Sequence, residues 1–88
     1  MDLRQLQYIK TVAELRNVTR AADALHISQP ALSRYIRSVE EELDIQLFDR
    51  STSPLSLTYA GERYLESARR ILLENERLKR SCATSPST

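Results

Sequence analysis

A mainly α-helical fold, a winged helix-turn-helix of three helices and a β-hairpin followed by one long helix, is predicted by three features of this 88-residue chain. Apolar residues recur at helical spacing in four separate stretches, and three prolines and one glycine are the only strong breakers in the whole sequence. The second and third stretches are separated by only His26 to Ser28, the spacing of a helix-turn-helix. Between the third and fourth, the apolar period shortens around a polar, turn-rich segment, the pattern of a hairpin.

Asp2 is placed to cap the first helix, with Gln5 completing a capping box. Leu3, Leu6, Ile9, Val12 and Ala13 mark its inner face to about Leu15. Asn17 can cap a short second helix whose small apolar face, Val18, Ala21, Ala22 and Leu25, lets a neighbour approach closely. Ser28 caps the third helix, and Pro30 falls in its first turn, where a missing N–H costs nothing. Leu32, Ile36, Val39 and Leu43 then form one face that ends near Asp44. Within Ile45 to Thr58, Leu47 and Phe48 precede the turn residues Asp49 to Pro54, and Leu55 and Leu57 alternate after them; Pro54 marks an edge element.

From Tyr59 to about Arg80, the residues Tyr64, Ala68, Ile71, Asn75, Leu78 and Cys82 alternate at spacings of four and three. Such a heptad seam is too long for a small core to cover. The expected division is a winged helix-turn-helix over 1–58, a linker and dimerisation helix over 59–80, and a disordered tail or expression remnant over 81–88.

A domain of this size has a marginal core and often needs a metal, a disulfide or a partner chain. With one cysteine, Cys82, and one histidine, His26, no metal site, cofactor or internal disulfide is expected, which leaves a partner chain. A lone cysteine suits a reducing compartment. No apolar run reaches the roughly 20 residues of a membrane span, and Asp2 and Arg4 stand where a signal peptide would need a different pattern. A soluble cytoplasmic protein is the expectation. Catalysis is unpromising, because the chain offers no nucleophile–base pair, ligand cluster or glycine-rich phosphate loop.

Net charge is only +1, but the charge is segregated. Residues 1–37 hold six Lys/Arg against three acids, 38–49 five acids and no base, and 50–88 seven bases against four acids. In a helix-turn-helix the second helix of the motif enters the DNA major groove by its N-terminal turns. Those turns present Gln29, Ser33, Arg34 and Arg37, whereas Glu40, Glu41 and Glu42 fall at the far end, where they are expected to face solvent. Gln29 can pair adenine and Arg34 or Arg37 guanine or a phosphate. Ser28 and Ser33 suit phosphate contacts, with Thr19 and Arg20 touching the backbone across the groove. The competing expectations are that Arg34 and Arg37 pair with glutamates on a solvated face, and that the domain serves protein contacts. Tyr8, Tyr35, Tyr59 and Tyr64 are expected as half-buried packing residues, and His26 as a turn residue.

The segments "LRQLQYIKTVAE", "TRAADALHISQPALSRYIRSVEEEL", "LFDRS" and "LSLTYAGERYL" together closely resemble the N-terminal DNA-binding domain of LysR-type bacterial transcriptional regulators, from Leu3 to about Arg80. The resemblance implies sequence-specific binding of double-stranded DNA with pseudo-palindromic half-sites, ending in T and A, by a homodimer joined through antiparallel linker helices. It places Gln29, Pro30, Ser33, Arg34 and Arg37 at the major groove and Arg50, Ser51 and Thr52 on the wing. It further implies an effector-binding C-terminal domain and a higher oligomer in the whole protein, so that this chain is expected to be a fragment. The chain departs from the family pattern at Ser53 and Pro54, where further basic residues are usual, at Tyr35, where glutamine is common, and at Tyr59 before "AG".

Overall fold

Each of the first three helices begins at the residue whose side chain can accept a hydrogen bond from an orphan backbone N–H. In the computed structural model, which describes residues 1–83, the helices are α1 Leu3–Leu15, α2 Val18–Leu25 and α3 Gln29–Leu43. Asp2 Oδ1 accepts from Gln5 N at 2.9 Å and Gln5 returns the bond to Asp2 N, a complete capping box. Asn17 caps α2 through Arg20 N at 2.9 Å, and Ser28 caps α3 through Ala31 N at 3.2 Å.

All three helices end on a residue with positive φ: Arg16 at 53°, His26 at 58° and Asp44 at 54°. None is glycine, although the left-handed region costs an L-residue about 1–2 kcal/mol. Each N–H there closes back on the preceding turn, which offsets part of that cost.

The hairpin pairs β1, Phe48–Asp49, with β2, Ser56–Leu57, in antiparallel register, Phe48 opposite Leu57 and Asp49 opposite Ser56. The wing is therefore short, and the Ser53–Pro54 peptide at its turn is cis. α4 then runs Tyr59–Ala83. It continues through Ser81, Cys82 and Ala83, past the boundary expected at Arg80, because no breaker intervenes and Cys82 keeps the seam's spacing. The remaining part of the expected tail, 84–88, lies outside the described residues.

The core is built from Leu6, Ile9, Val12 and Ala13 of α1, Ala21 and Ala22 of α2, Leu32, Ile36 and Val39 of α3, Leu47 and Phe48 at the wing, and Leu65 and Ala68 of α4. Ala21 and Ala22 of α2 are at most 2% exposed, which is how so short a helix sits tightly against its neighbours. In α4 the buried residues are Gly61, Leu65 and Ala68; none of the described residues beyond Ala68 is buried. The helix, about 37 Å long at 1.5 Å per residue, thus packs by its first ten residues and projects by the rest.

α4 is seated by a junction in which each residue type is needed. The Thr58 hydroxyl donates to Gln46 O at 2.6 Å and accepts from Gly61 N at 3.0 Å, while Thr58 N donates to Leu47 O at 3.0 Å. A Cβ on Gly61 would lie 2.0 Å from Leu47 O and 2.9 Å from Leu47 C, both backbone atoms. Helix propensity alone favours alanine over glycine by about 1 kcal/mol, but the clash decides the sign. Gly61→Ala is expected to destabilise the domain by about 2 kcal/mol and lower Tm by roughly 10 °C in thermal unfolding followed by circular dichroism. A raised Tm would mean that the wing yields at Leu47.

Candidate nucleic-acid interface

α3 turns Leu32, Ile36 and Val39 inward, so its outer side carries the exposed residues Gln29, Pro30, Arg34, Arg37 and Ser38, with Ser33 half-buried. Gln29 Nε2 donates to Ser33 Oγ at 3.0 Å, which orients the amide along the first turn. Among the described residues, neither Arg34 nor Arg37 has a carboxylate within ion-pair distance, so the reading of these arginines as members of solvated pairs is not what the structure shows. Thr19 and Arg20 are exposed at the start of α2, and Arg20 also has no ion-pair partner among the described residues.

The paired cations lie elsewhere. Arg69 reaches Glu14 at 3.4 Å, Arg70 reaches Glu66 at 3.4 Å, Arg77 reaches Glu74 at 3.7 Å and Lys79 reaches Glu76 at 3.4 Å. α4 thus neutralises much of its own charge, while Arg34 and Arg37 on the outer face of α3 make no ion pair among the described residues. That is how a chain of net charge +1 holds a locally basic face.

The expectation that all three glutamates of α3 face solvent is corrected at Glu40. Its side chain is 11% exposed; Oε2 accepts from Leu47 N at 2.8 Å and Oε1 from Arg50 Nη2 at 3.3 Å. The carboxylate satisfies the N–H of a chain segment too irregular to pair it in a ladder, so it is held inward. Glu42 meets the Met1 amino group at 3.1 Å, and Glu41 is exposed.

On the wing, Arg50 is held by Glu40 yet remains 51% exposed. Ser51 and Thr52 are exposed and also bonded within the turn. Asp49 Oδ1 accepts from both the amide and the hydroxyl of Ser51, while Thr52 Oγ1 meets Asp49 O, Pro54 O and Ser56 Oγ. The Ser51 hydroxyl and then its amide hold the Asp49 carboxyl below the usual carboxylate range.

Tyr35 packs edge-on against Tyr8, ring centroids 4.9 Å apart at 78°, and Tyr64 is likewise half-buried. Burial, with Glu42 and then Asp2 nearby, pushes the Tyr64 hydroxyl up to about 12. Tyr59 is the exception among the tyrosines at 76% exposed. His26 is an exposed turn residue. Along the heptad seam, Ala68 is 1% exposed within its own chain, whereas Ile71 is 47% and Leu78 61% exposed, with Asn75 half-buried between them. Cys82 is exposed and free.

Sequence reasoning did not find Glu40's role, since its partners lie seven and ten residues away with no local signal. The Thr58–Gly61 cap did have one: a hydroxyl residue followed three positions later by the lone glycine. Among the described residues no group of three or more His, Cys, Asp or Glu could hold a metal ion, and no helix is long and apolar enough to cross a membrane.

Residues 3–62 match the model of the family described as bacterial regulatory helix-turn-helix protein, lysR family. The chain belongs to the LysR family. It is 45% identical over 73 residues to the HTH-type transcriptional regulator BsdA of Bacillus subtilis, covering 82% of this chain and 25% of that protein. It is 47% identical over 72 residues to the regulator ClcR of Pseudomonas putida, covering 82% and 24%. The chain thus spans about a quarter of the length of these LysR relatives. Its fold superposes with a TM-score of 0.89, at 38% identity, on the BenM DNA-binding domain solved with catB site 1 DNA, covering 96% of this chain and 94% of that one.

The Asp49 turn makes a pH prediction. A carboxyl whose pKa is lowered by folding stabilises the turn above its ordinary range, and that stability is lost as pH falls through the lowered value. The Ser51 amide resonance is therefore expected to titrate with a midpoint below 3.8. A midpoint at or above that value in an NMR titration would show the Asp49–Ser51 bonds to be unimportant in solution.

Proposed function

We propose that this chain is the sequence-reading end of a LysR-type transcriptional regulator, binding double-stranded DNA as a homodimer on pseudo-palindromic half-sites. The observation that carries the reading is the outer face of α3: Arg34 and Arg37 lack carboxylate partners among the described residues, in a molecule that pairs many of its other cations. Arginines left this way are available to phosphates and guanine edges, and each phosphate neutralised releases condensed counterions. The likeness to a domain solved with DNA supports the same reading.

Gln29, oriented by Ser33 at the first turn of α3, faces base edges, with Pro30 beside it. Ser28, Thr19 and Arg20 meet the backbone and fix register. Arg50 serves the wing, while Ser51 and Thr52 shape its turn and offer hydroxyls to the flanking backbone. The open part of the α4 seam, Ile71, Asn75 and Leu78, with Tyr64 at its margin, is the dimer contact; Ala68 lends it a small surface on which helices can come close. An effector-binding domain beyond α4 and higher assembly belong to the longer protein. The reading gives this chain no catalytic role and places it in the cytoplasm.

The test is site selection from random duplexes, followed by fluorescence anisotropy on a selected and a scrambled duplex across a salt series. Steep loss of affinity with salt and preference for the selected site are expected. Gln29→Ala is expected to cost about 1–3 kcal/mol on the selected site and little on the scrambled one; equal losses would make Gln29 a backbone contact. Leu78→Asp is expected to shift sedimentation from dimer to monomer and weaken operator binding with the helix-turn-helix still folded. A variant that stays dimeric would place the dimer contact off this seam.

A further inference from the structure

Binding DNA explains why the polar outer face of α3 is open, but not why large apolar side chains are. Eight of these are exposed among the described residues. Four of them, Met1, Leu43, Ile45 and Tyr59, line one open cleft of about 620 Å³ between the end of α3 and the base of α4. Three more, Ile71, Leu73 and Leu78, stand on the projecting part of α4. Seven of the eight thus belong to two surfaces, and the molecule covers neither. Apolar area gathered in this way marks a contact, whereas single exposed residues would need no explanation.

The chain cannot close one surface with the other, because α4 is one uninterrupted helix that starts at the cleft and leads away from it. A second copy can. Ala60, Tyr64 and Ser67 in the cleft wall continue the stripe of Ile71, Leu78 and Cys82, at intervals of four, three, four, seven and four residues. In an antiparallel pair of helices, residues equidistant from the crossing face each other. With the crossing between Ile71 and Leu73, Tyr64 faces positions 78 to 82 of the partner. The partner's α4 runs at least ten residues past such a crossing, about 15 Å, and so lies over the cleft. Charge favours the same arrangement. The end of α3 carries Glu41, Glu42, Asp44 and the negative pole of its dipole, whereas residues 77–83 carry Arg77, Lys79 and Arg80 and no acid. Arg63, the base in the cleft wall, is exposed and long enough to keep its guanidinium in water.

We propose that the cleft between the end of α3 and the base of α4 receives the far end of a second copy's α4. The partner's Leu78 and Cys82 lie against Ile45, Tyr59 and Tyr64, and the basic end of its helix lies beside the acidic end of α3. This rests on the dimer reading above and extends it from the helix seam into the winged domain. The open seam alone supplies three residues a side, Ile71, Asn75 and Leu78, against roughly 20–30 in a standard interface. The contact also gives a use to the acidic run of α3, which the DNA-facing turns leave idle.

Cys82 is the chain's one cysteine, which makes it the probe. In the antiparallel pair its two copies lie about 30 Å apart, so a short bis-maleimide is expected to leave wild type uncross-linked. Arg63→Cys, exposed in the cleft wall, is expected to give covalent dimer through the partner's Cys82, and Asp23→Cys, exposed on α2, none. Ile45→Asp, outside the buried core, is expected to weaken dimerisation about tenfold or more in sedimentation, with helix content unchanged by circular dichroism. A dimeric wild type, no cross-link through residue 63 and an Ile45→Asp dimer of wild-type strength would overturn the cleft contact and leave the α4 dimer standing. Cross-linking of wild type through Cys82 alone would mean parallel helices and overturn it as well. A weakened Ile45→Asp dimer without the residue 63 cross-link would give the cleft to another part of the partner and overturn the assignment to α4. If Ile45→Asp does not fold, the cross-link alone decides. Monomeric wild type would bring down the dimer reading and this contact with it.

Discussion

The approach of Gly61 to the backbone of Leu47 is the constraint on which the rest of the molecule depends. Through it the wing, α3 and α4 meet within a few residues: Glu40 takes the Leu47 N–H, Leu47 O takes the Thr58 N–H, and Thr58 caps α4 at Gly61. Each bond satisfies a backbone or carboxylate group that would otherwise be left without a partner near the core. Remove the close contact and α4 must lift, taking Leu65 and Ala68 out of a core that has little to spare.

The second organising fact is where the carboxylates are. Charge in this chain is nearly balanced overall, yet many of the acids are committed to α4 pairs, to the wing at Glu40, to helix capping at Asp2 and to the turn at Asp49. Exposed ion pairs of this kind add little stability, about 0–1 kcal/mol each. Their effect is distributive: they cancel positive charge along α4 and leave it standing along α3. A basic face can therefore arise without a basic protein.

The elements were legible in the sequence because their signals are local. Asp2 with Gln5, Asn17 and Ser28 announce helix starts within four residues, and the apolar period does the rest. The outer face of α3 was legible for the same reason, since its residues sit on one short helix. The inward turn of Glu40 was not, because its partners come from a segment beyond the end of its own helix. Tyr59 misled because aromatic residues usually pack; here the helix start at Thr58 points position 59 outward. The seam of α4 was read as one surface, although Ala68 belongs to the domain's own core and Ile71 and Leu78 do not. Periodicity finds a stripe but does not say which neighbour each part of it touches.

The projecting part of α4 makes the junction at Gly61 the fulcrum of a lever. Twenty-two residues of α4 follow Gly61, a rod of about 33 Å, and a tilt of about 10° there would swing the tip by about 6 Å. If two such rods join a pair of recognition helices, the stiffness of a single backbone-to-backbone contact sets how far apart those helices can be held. Tolerance for half-site spacing is then a mechanical property of the Gly61 junction.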